Sequence, residues 1–274
     1  METRYTPSRV RLRRRTERPG RLNWLFLPGG PGLGSESLHE LIDALDVPGS
    51  CWAVDLPGDG SNHVEAGDPF AAWPQVLLEA ADALPNPIFA GHSTGGMYLL
   101  STPALERRLA GLVLLSTAPD ANWRSHYEAT VASEPLPAFD AALHAYSAQP
   151  TTEHLRALCV ASAEWNFNKA GLEMGRNLLA RMPYNREAVE WSDTNFDSAY
   201  VANWWPARLP TMILAGSDDR IVGQSGWDDA RFKGPHVRRV AIAGAGHFPW
   251  IENPGAVRRA FADLAEAALA YTAD

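Results

Sequence analysis

The stretch Pro87-Ile88-Phe89-Ala90-Gly91-His92-Ser93-Thr94-Gly95-Gly96 constrains this chain more than any other. A short apolar run leads straight into Gly-x-Ser-x-Gly, and the residues beyond can continue as a helix. The run reads as a buried strand, and the glycines permit a turn too sharp for residues that carry a Cβ. Gly91 and Gly95 flank Ser93, so strand and helix can approach closely while the serine side chain is pushed out at the sheet edge. A helix N-terminus behind that serine favours negative charge building up in front of it. The plain alternative is a glycine-rich turn with an exposed serine, and the rest of the chain has to decide between the two.

At 274 residues the chain can bury one large core or a core with an insertion. No apolar run reaches membrane-spanning length. The net charge of −8 argues against a nucleic-acid partner, but it is unevenly spread. Residues 1–21 hold eight arginines against Glu2 and Glu17, which is +6 there and −14 for the remainder. These arginines lack the apolar core of a secretory signal. Arg9-Val10-Arg11-Leu12-Arg13 alternates with period two, and Arg18-Pro19-Gly20-Arg21 reads as a turn. A half-exposed strand followed by a hairpin therefore explains them better than a transit peptide or a polyanion-binding arm. Cys51 and Cys159 stand far apart with no metal-ligand spacing, which points to a reducing cytoplasm.

Along the chain, strand patterns at 22–27, 51–55, 87–92 and 112–115 alternate with helical patterns at 37–45, 73–84 and 96–109. The first helix is expected to open on a Ser37-x-x-Glu40 capping box, and Pro74 suits the first position of the second. This alternation predicts an α/β fold with a mostly parallel sheet. Between about 121 and 208 it stops, and five helical patterns follow one another, the last over Arg186–Trp204. We expect an inserted all-helical cap at 121–208 above a core formed by 1–120 and 209–274. The strand pattern resumes at 211–215 and 236–242, and Asn253-Pro254 caps a final amphipathic helix.

Three strand ends now offer Ser93, Asp218-Asp219 and His247, in the order serine, carboxylate, histidine. In an open parallel sheet, functional groups collect beyond the carboxyl ends of the strands. A serine hydroxyl is a poor nucleophile near neutral pH. It needs a histidine to take its proton and a carboxylate to hold that imidazole in the right tautomer.

Taken together, Pro28-Gly-Gly-Pro-Gly32, Asp55-Leu-Pro-Gly-Asp-Gly-Ser61, Gly91-His-Ser-Thr-Gly95, Gly216-Ser-Asp-Asp219 and Gly246-His-Phe-Pro-Trp-Ile-Glu-Asn-Pro254 resemble an α/β-hydrolase-fold serine hydrolase with a helical cap. The resemblance covers nearly the whole chain and is weakest over 121–208. It implies Ser93 as nucleophile in a nucleophile elbow, His247 as general base, and Asp219 as the acid by the family's Gly-x-x-Asp spacing. Asp218 is the neighbouring alternative, and Asp120, after the strand at 112–115, is the third. His92 reads as structural, and the other six histidines as surface or packing residues. An oxyanion hole is expected from the backbone N–H groups of Thr94 and Gly30, with Gly29 as the fallback. Phe248 and, from the helical stretch, Trp165, Trp204 and Trp205 are candidates for an apolar substrate pocket.

The resemblance implies a small-molecule carbonyl substrate and neither metal nor organic cofactor. No nucleic acid, membrane or oligomeric partner is indicated. Gly29-Gly-Pro-Gly32 is similar to the loop of proline iminopeptidases, but Pro28 replaces that family's histidine and Asp55-Leu-Pro-Gly lacks its arginine. An ester or carbon–carbon bond hydrolase therefore ranks first and an iminopeptidase second. A cofactor-independent lyase or oxygenase, or a ligand-binding receptor, remains open on the same fold.

Overall fold

The computed structural model describes residues 2–64 and 69–272. Its framework is a sheet of β1 (Thr3–Tyr5), β2 (Arg11–Glu17), β3 (Asn23–Leu27), β4 (Ser50–Asp55), β5 (Pro87–His92), β6 (Gly111–Leu115), β7 (Thr211–Gly216) and β8 (Val237–Ile242). The strand order is β1-β2-β4-β3-β5-β6-β7-β8. β1 and β2 pair antiparallel with their neighbours, and every other pairing is parallel. β5, β6 and β7 are buried at every residue, which is why they read as unbroken apolar runs: helices cover both faces.

Period-two alternation sorts β3 between two cores. Trp24 and Phe26 face α11 (Pro254–Tyr271), where Phe261 packs against both rings. Leu25 and Leu27 join the opposite core with Val76 and Leu77 of α2 (Trp73–Asp82). α1 (His39–Ala44) and α3 (Thr94–Leu100) complete the helices before β6. Between β6 and β7 run α4 (Trp123–Ser133), α5 (Pro137–Ala148), α6 (Thr152–Ala161), α7 (Ala163–Asn166), α8 (Leu172–Ala180) and α9 (Arg186–Asn195), none of which adds a strand to the sheet. α10 (Pro249–Glu252) follows β8. Among the described residues no helix is long and apolar enough to cross a membrane.

Several local expectations need correction. The turn at Arg18–Arg21 does not close a hairpin, because β4 lies between β2 and β3. The hairpin is instead β1–β2, and two arginines of β2 are drawn to β4: Arg11 and Arg13 both reach the fully buried Asp55, at 3.0 and 3.1 Å. No capping box forms, since Ser37 Oγ donates back to Gly34 O from within a 3-10 turn over Ser35–Leu38. The helix after the elbow begins earlier, at Thr94, and stops at Leu100, with a separate 3-10 turn at Pro103–Leu105. α9 ends at Asn195, and the chain to 205 is irregular, bridged to Asp120 through Val201.

Candidate active site

Ser93 sits between the last residue of β5 and the first of α3, at φ 50 and ψ −123. This is a left-handed strain for a residue with a Cβ, and it persists only where the surroundings enforce it. They do so here: Ser93 N–H donates to Leu115 O at 2.9 Å, and Thr117 Oγ1 donates to Ser93 O at 2.7 Å. The turn closes only because both flanking residues are glycine. A Cβ on Gly91 would lie 2.6 Å from Gly96 N, and one on Gly95 would run into the Pro28 carbonyl oxygen.

His247 and Asp219 face each other, both buried, with Nδ1 3.0 Å from Oδ2 and 3.2 Å from Oδ1. A carboxylate can only accept, so Nδ1 carries a proton, and in the neutral ring the lone pair is then on Nε2. Asp219 is fixed by its own loop: Oδ1 also accepts from Ile221 N and Val222 N, each at 2.9 Å. The neighbours are engaged elsewhere. Asp218 is exposed and accepts from Ser217 Oγ and Asn168 Nδ2. Asp120 accepts from Asn122 N in a local turn.

His92 is buried, with Nε2 3.1 Å from His247 O. Burial, then the neighbouring His247, push it well below the ordinary histidine range, so it stays neutral and donates through Nε2. His126, read from sequence as surface or packing, meets the neighbouring loop: its Nε2 is 3.1 Å from Asp219 O, tying α4 to the loop that carries Asp219.

The loop after β3 approaches Ser93 so closely that a Cβ on Gly29 would lie 2.7 Å from Ser93 Cβ. Gly30 follows at φ 118, a conformation that favours glycine. Two buried carboxylates brace the loop from behind: Asp59 Oδ1 accepts from Gly32 N at 2.8 Å, and Asp55 Oδ1 from Ser35 N at 2.7 Å. Thr94 opens α3, so its N–H has no acceptor within the helix.

Ser93, Thr94, Gly30, His247 and Phe248 line one cavity of about 350 Å³. Its far wall comes from the helices between β6 and β7. Trp123 and Tyr127, one turn apart on α4, share it with Cys159, Leu179 and Tyr184. Burial pushes the Cys159 thiol up to about 11 and the Tyr127 phenol up to about 12, so neither is charged at neutral pH. Among the described residues lining the cavity there is no Asp, Glu, Lys or Arg.

Three of the aromatic candidates are not among the lining residues. Trp165 is buried between helices, edge-on to Phe139 and Tyr127, and donates from Nε1 to Glu134 O. Trp204 donates to Leu99 O of α3, and Trp205 packs tilted against Trp227 and edge-on to Phe232. Helical spacing marks a face as apolar without saying which neighbour it meets, so Trp123 and Tyr127 carried no signal that set them apart.

The comparisons with known proteins agree with this architecture. A model of the alpha/beta hydrolase family matches residues 24–260. The chain is 30% identical over 238 residues to a pimeloyl-[acyl-carrier protein] methyl ester esterase of Xanthomonas axonopodis pv. citri, covering 86% of this chain and 92% of that one. It is 26% identical over 248 residues to the enzyme of the same name from Xylella fastidiosa, covering 84% and 89%. Among solved structures it is similar to proline iminopeptidase from Mycobacterium smegmatis, at a TM-score of 0.71 and 20% identity over the whole of both chains. A thermophilic esterase from Thermogutta terrifontis matches at a TM-score of 0.65 and 19% identity, covering 98% and 99%.

Proposed function

The chain belongs to the alpha/beta hydrolase family and is an esterase-like hydrolase; on that premise we propose that it cleaves small, uncharged carboxylic esters through Ser93, His247 and Asp219. The observation that carries this reading is the pairing of His247 Nδ1 with Asp219, His247 and a strained serine together lining a cavity to which the described residues bring no Asp, Glu, Lys or Arg. We read residues 121–208 as a helical cap over a core of 1–120 and 209–274.

In this mechanism Ser93 Oγ attacks the ester carbonyl while His247 Nε2 takes its proton. The oxyanion of the tetrahedral intermediate accepts from the Thr94 and Gly30 N–H groups, an arrangement in which one donor is worth about 3–4 kcal/mol. Collapse expels the alcohol, which receives the proton from Nε2, and leaves an acyl group on Ser93. Water, deprotonated by His247, then releases the acid and restores the serine. Asp219 holds the imidazole in its Nδ1–H tautomer and stabilises the imidazolium. The curated relatives are methyl ester esterases by name, which makes a small alcohol the first leaving group to test.

An iminopeptidase would have to hold a free ammonium group, and a carboxylate in the cavity is what does that. Glu164, Glu173, Glu187 and Glu190 lie on the exposed faces of their helices, with Glu164 paired to Arg176 and Glu190 to Arg186. The deciding experiment compares initial rates on methyl and p-nitrophenyl esters of two to eight carbons and on proline p-nitroanilide, using wild type and Ser93→Ala. Ester turnover lost in Ser93→Ala is the expected result. Prolyl-anilide cleavage faster than any ester would overturn the reading, and so would ester turnover that survives Ser93→Ala.

A further inference from the structure

His247 is gripped from two sides. Its backbone N–H donates at 2.9 Å to the carbonyl of Asn166, the last residue of α7, and its own carbonyl accepts from His92. The residues next to these contacts meet on a single side chain. Glu252, at the end of α10, accepts from Gly246 N through Oε2 and from Asn168 N through Oε1, each at 2.5 Å. One carboxylate therefore closes a ring that runs from Gly246 through His247, across to Asn166, on to Asn168 and back.

The surrounding fit is close. A Cβ on Gly246 would lie 2.5 Å from Asn166 O, and one on Gly171 would lie 2.6 Å from Glu252 Cγ. Asn168 extends the seam, donating from Nδ2 to Asp218 Oδ2 at 2.9 Å and to Gly244 O at 3.0 Å, while Arg220 donates to its Oδ1 at 3.1 Å. The inserted helices are thereby stitched to both loops that carry the proposed acid and base.

We propose that Glu252 is a positioning residue for His247: its carboxylate clasps the histidine loop to residues 166–168, so proton transfer at Ser93 depends on how those helices are seated. Both of its partners are backbone donors, so the post requires a side chain that accepts with two oxygens and donates nothing. An ionised carboxylate meets that need, whereas an amide offers one acceptor and turns its NH₂ against the other N–H. Glu252 is not among the residues lining the cavity, so it acts through Gly246 and Asn168 rather than on the substrate.

This inference rests on the proposed pairing of Ser93 with His247, and two readouts separate their fates. For Glu252→Gln, kcat on a p-nitrophenyl ester is expected to fall about 10- to 100-fold with KM nearly unchanged, as expected when a proton acceptor is displaced by a fraction of an ångström. The low-field proton resonance of His247 Nδ1–H, assigned by its loss in His247→Ala, is expected to shift or broaden. Wild-type kcat together with an unmoved resonance in a folded Glu252→Gln protein would overturn the proposal. So would a lower melting temperature with unchanged kcat per folded molecule. If Glu252→Gln does not fold, Glu252→Asp keeps the charge one methylene short, and a wild-type resonance and kcat there overturn it equally. If the wild type hydrolyses no ester, the esterase reading fails by itself, and the resonance still decides the clasp.

Discussion

Replacing Asp59 by asparagine should make the protein more stable, and increasingly so as the pH rises. Asp59 is buried, with no cation paired to it among the described residues, and it accepts from the backbone N–H groups of Gly32 and Gly34. Burial first, and then the negative charge of Asp55, push its carboxyl up from 3.8 to about 8; the two backbone donors pull the other way, and Glu36 adds to the rise. Arg11 and Arg13 are paired instead with Asp55 and Glu36.

The sign follows from linkage. In the unfolded chain an aspartate ionises near 4, so below that pH both states hold the proton and Asp59 costs nothing. Between about 4 and 8 the native state keeps a proton that the unfolded state has released, and stability falls as pH rises, by about 1.4 kcal/mol per unit. Above about 8 the penalty stays constant at about 6 kcal/mol. Asp59→Asn removes the slope and keeps one acceptor oxygen for the two backbone donors, at a cost of about 1 kcal/mol. Urea melts of both proteins are therefore expected to agree within about 1 kcal/mol near pH 4.5, and the variant to lead by about 3–5 kcal/mol at pH 8. A difference that does not grow with pH would refute the argument, because every other titrating group is common to both chains.

Other consequences follow from the same contacts. Asp219→Asn keeps the shape of the pairing but admits the wrong imidazole tautomer, so kcat should fall about 10⁴-fold with the fold intact by circular dichroism; a loss under tenfold would remove Asp219 from the proposed trio. Gly95→Ala drives a methyl group into the Pro28 carbonyl and should cost at least about 2–3 kcal/mol in a denaturant melt; a variant as stable as wild type would mean the elbow can relax. Leu179, buried against the cavity, should when replaced by alanine cost about 2–5 kcal/mol and move the acyl preference toward longer chains. An unchanged chain-length profile would show that the acyl group lies elsewhere.

Much of the candidate site was legible because it is local in the chain. The elbow needs only five consecutive residues with glycine at two of them, and the steric reason for each glycine lies within a few residues or on the adjacent strand. The ranking of Asp219 above Asp218 is a matter of register: one residue of shift turns a side chain away, and here it sends Asp218 to Asn168. Elements whose signal depends on distant partners misled. The Arg18–Arg21 turn looked like a hairpin because nothing nearby announces that β4 will insert beside β2; the draw is Asp55, more than thirty positions away.

The sequence by itself determined the alternating framework and the strand ends on which Ser93, Asp219 and His247 stand, since periodicity and turn chemistry act over a few residues. Only the tertiary structure decided which aromatics face the cavity, that no Asp, Glu, Lys or Arg among the described residues lines it, and that Glu252 joins the histidine loop to the inserted helices. An amphipathic helix declares that it has an apolar face, but what that face meets depends on how helices pack over the sheet. That packing is fixed by contacts between residues far apart in the chain.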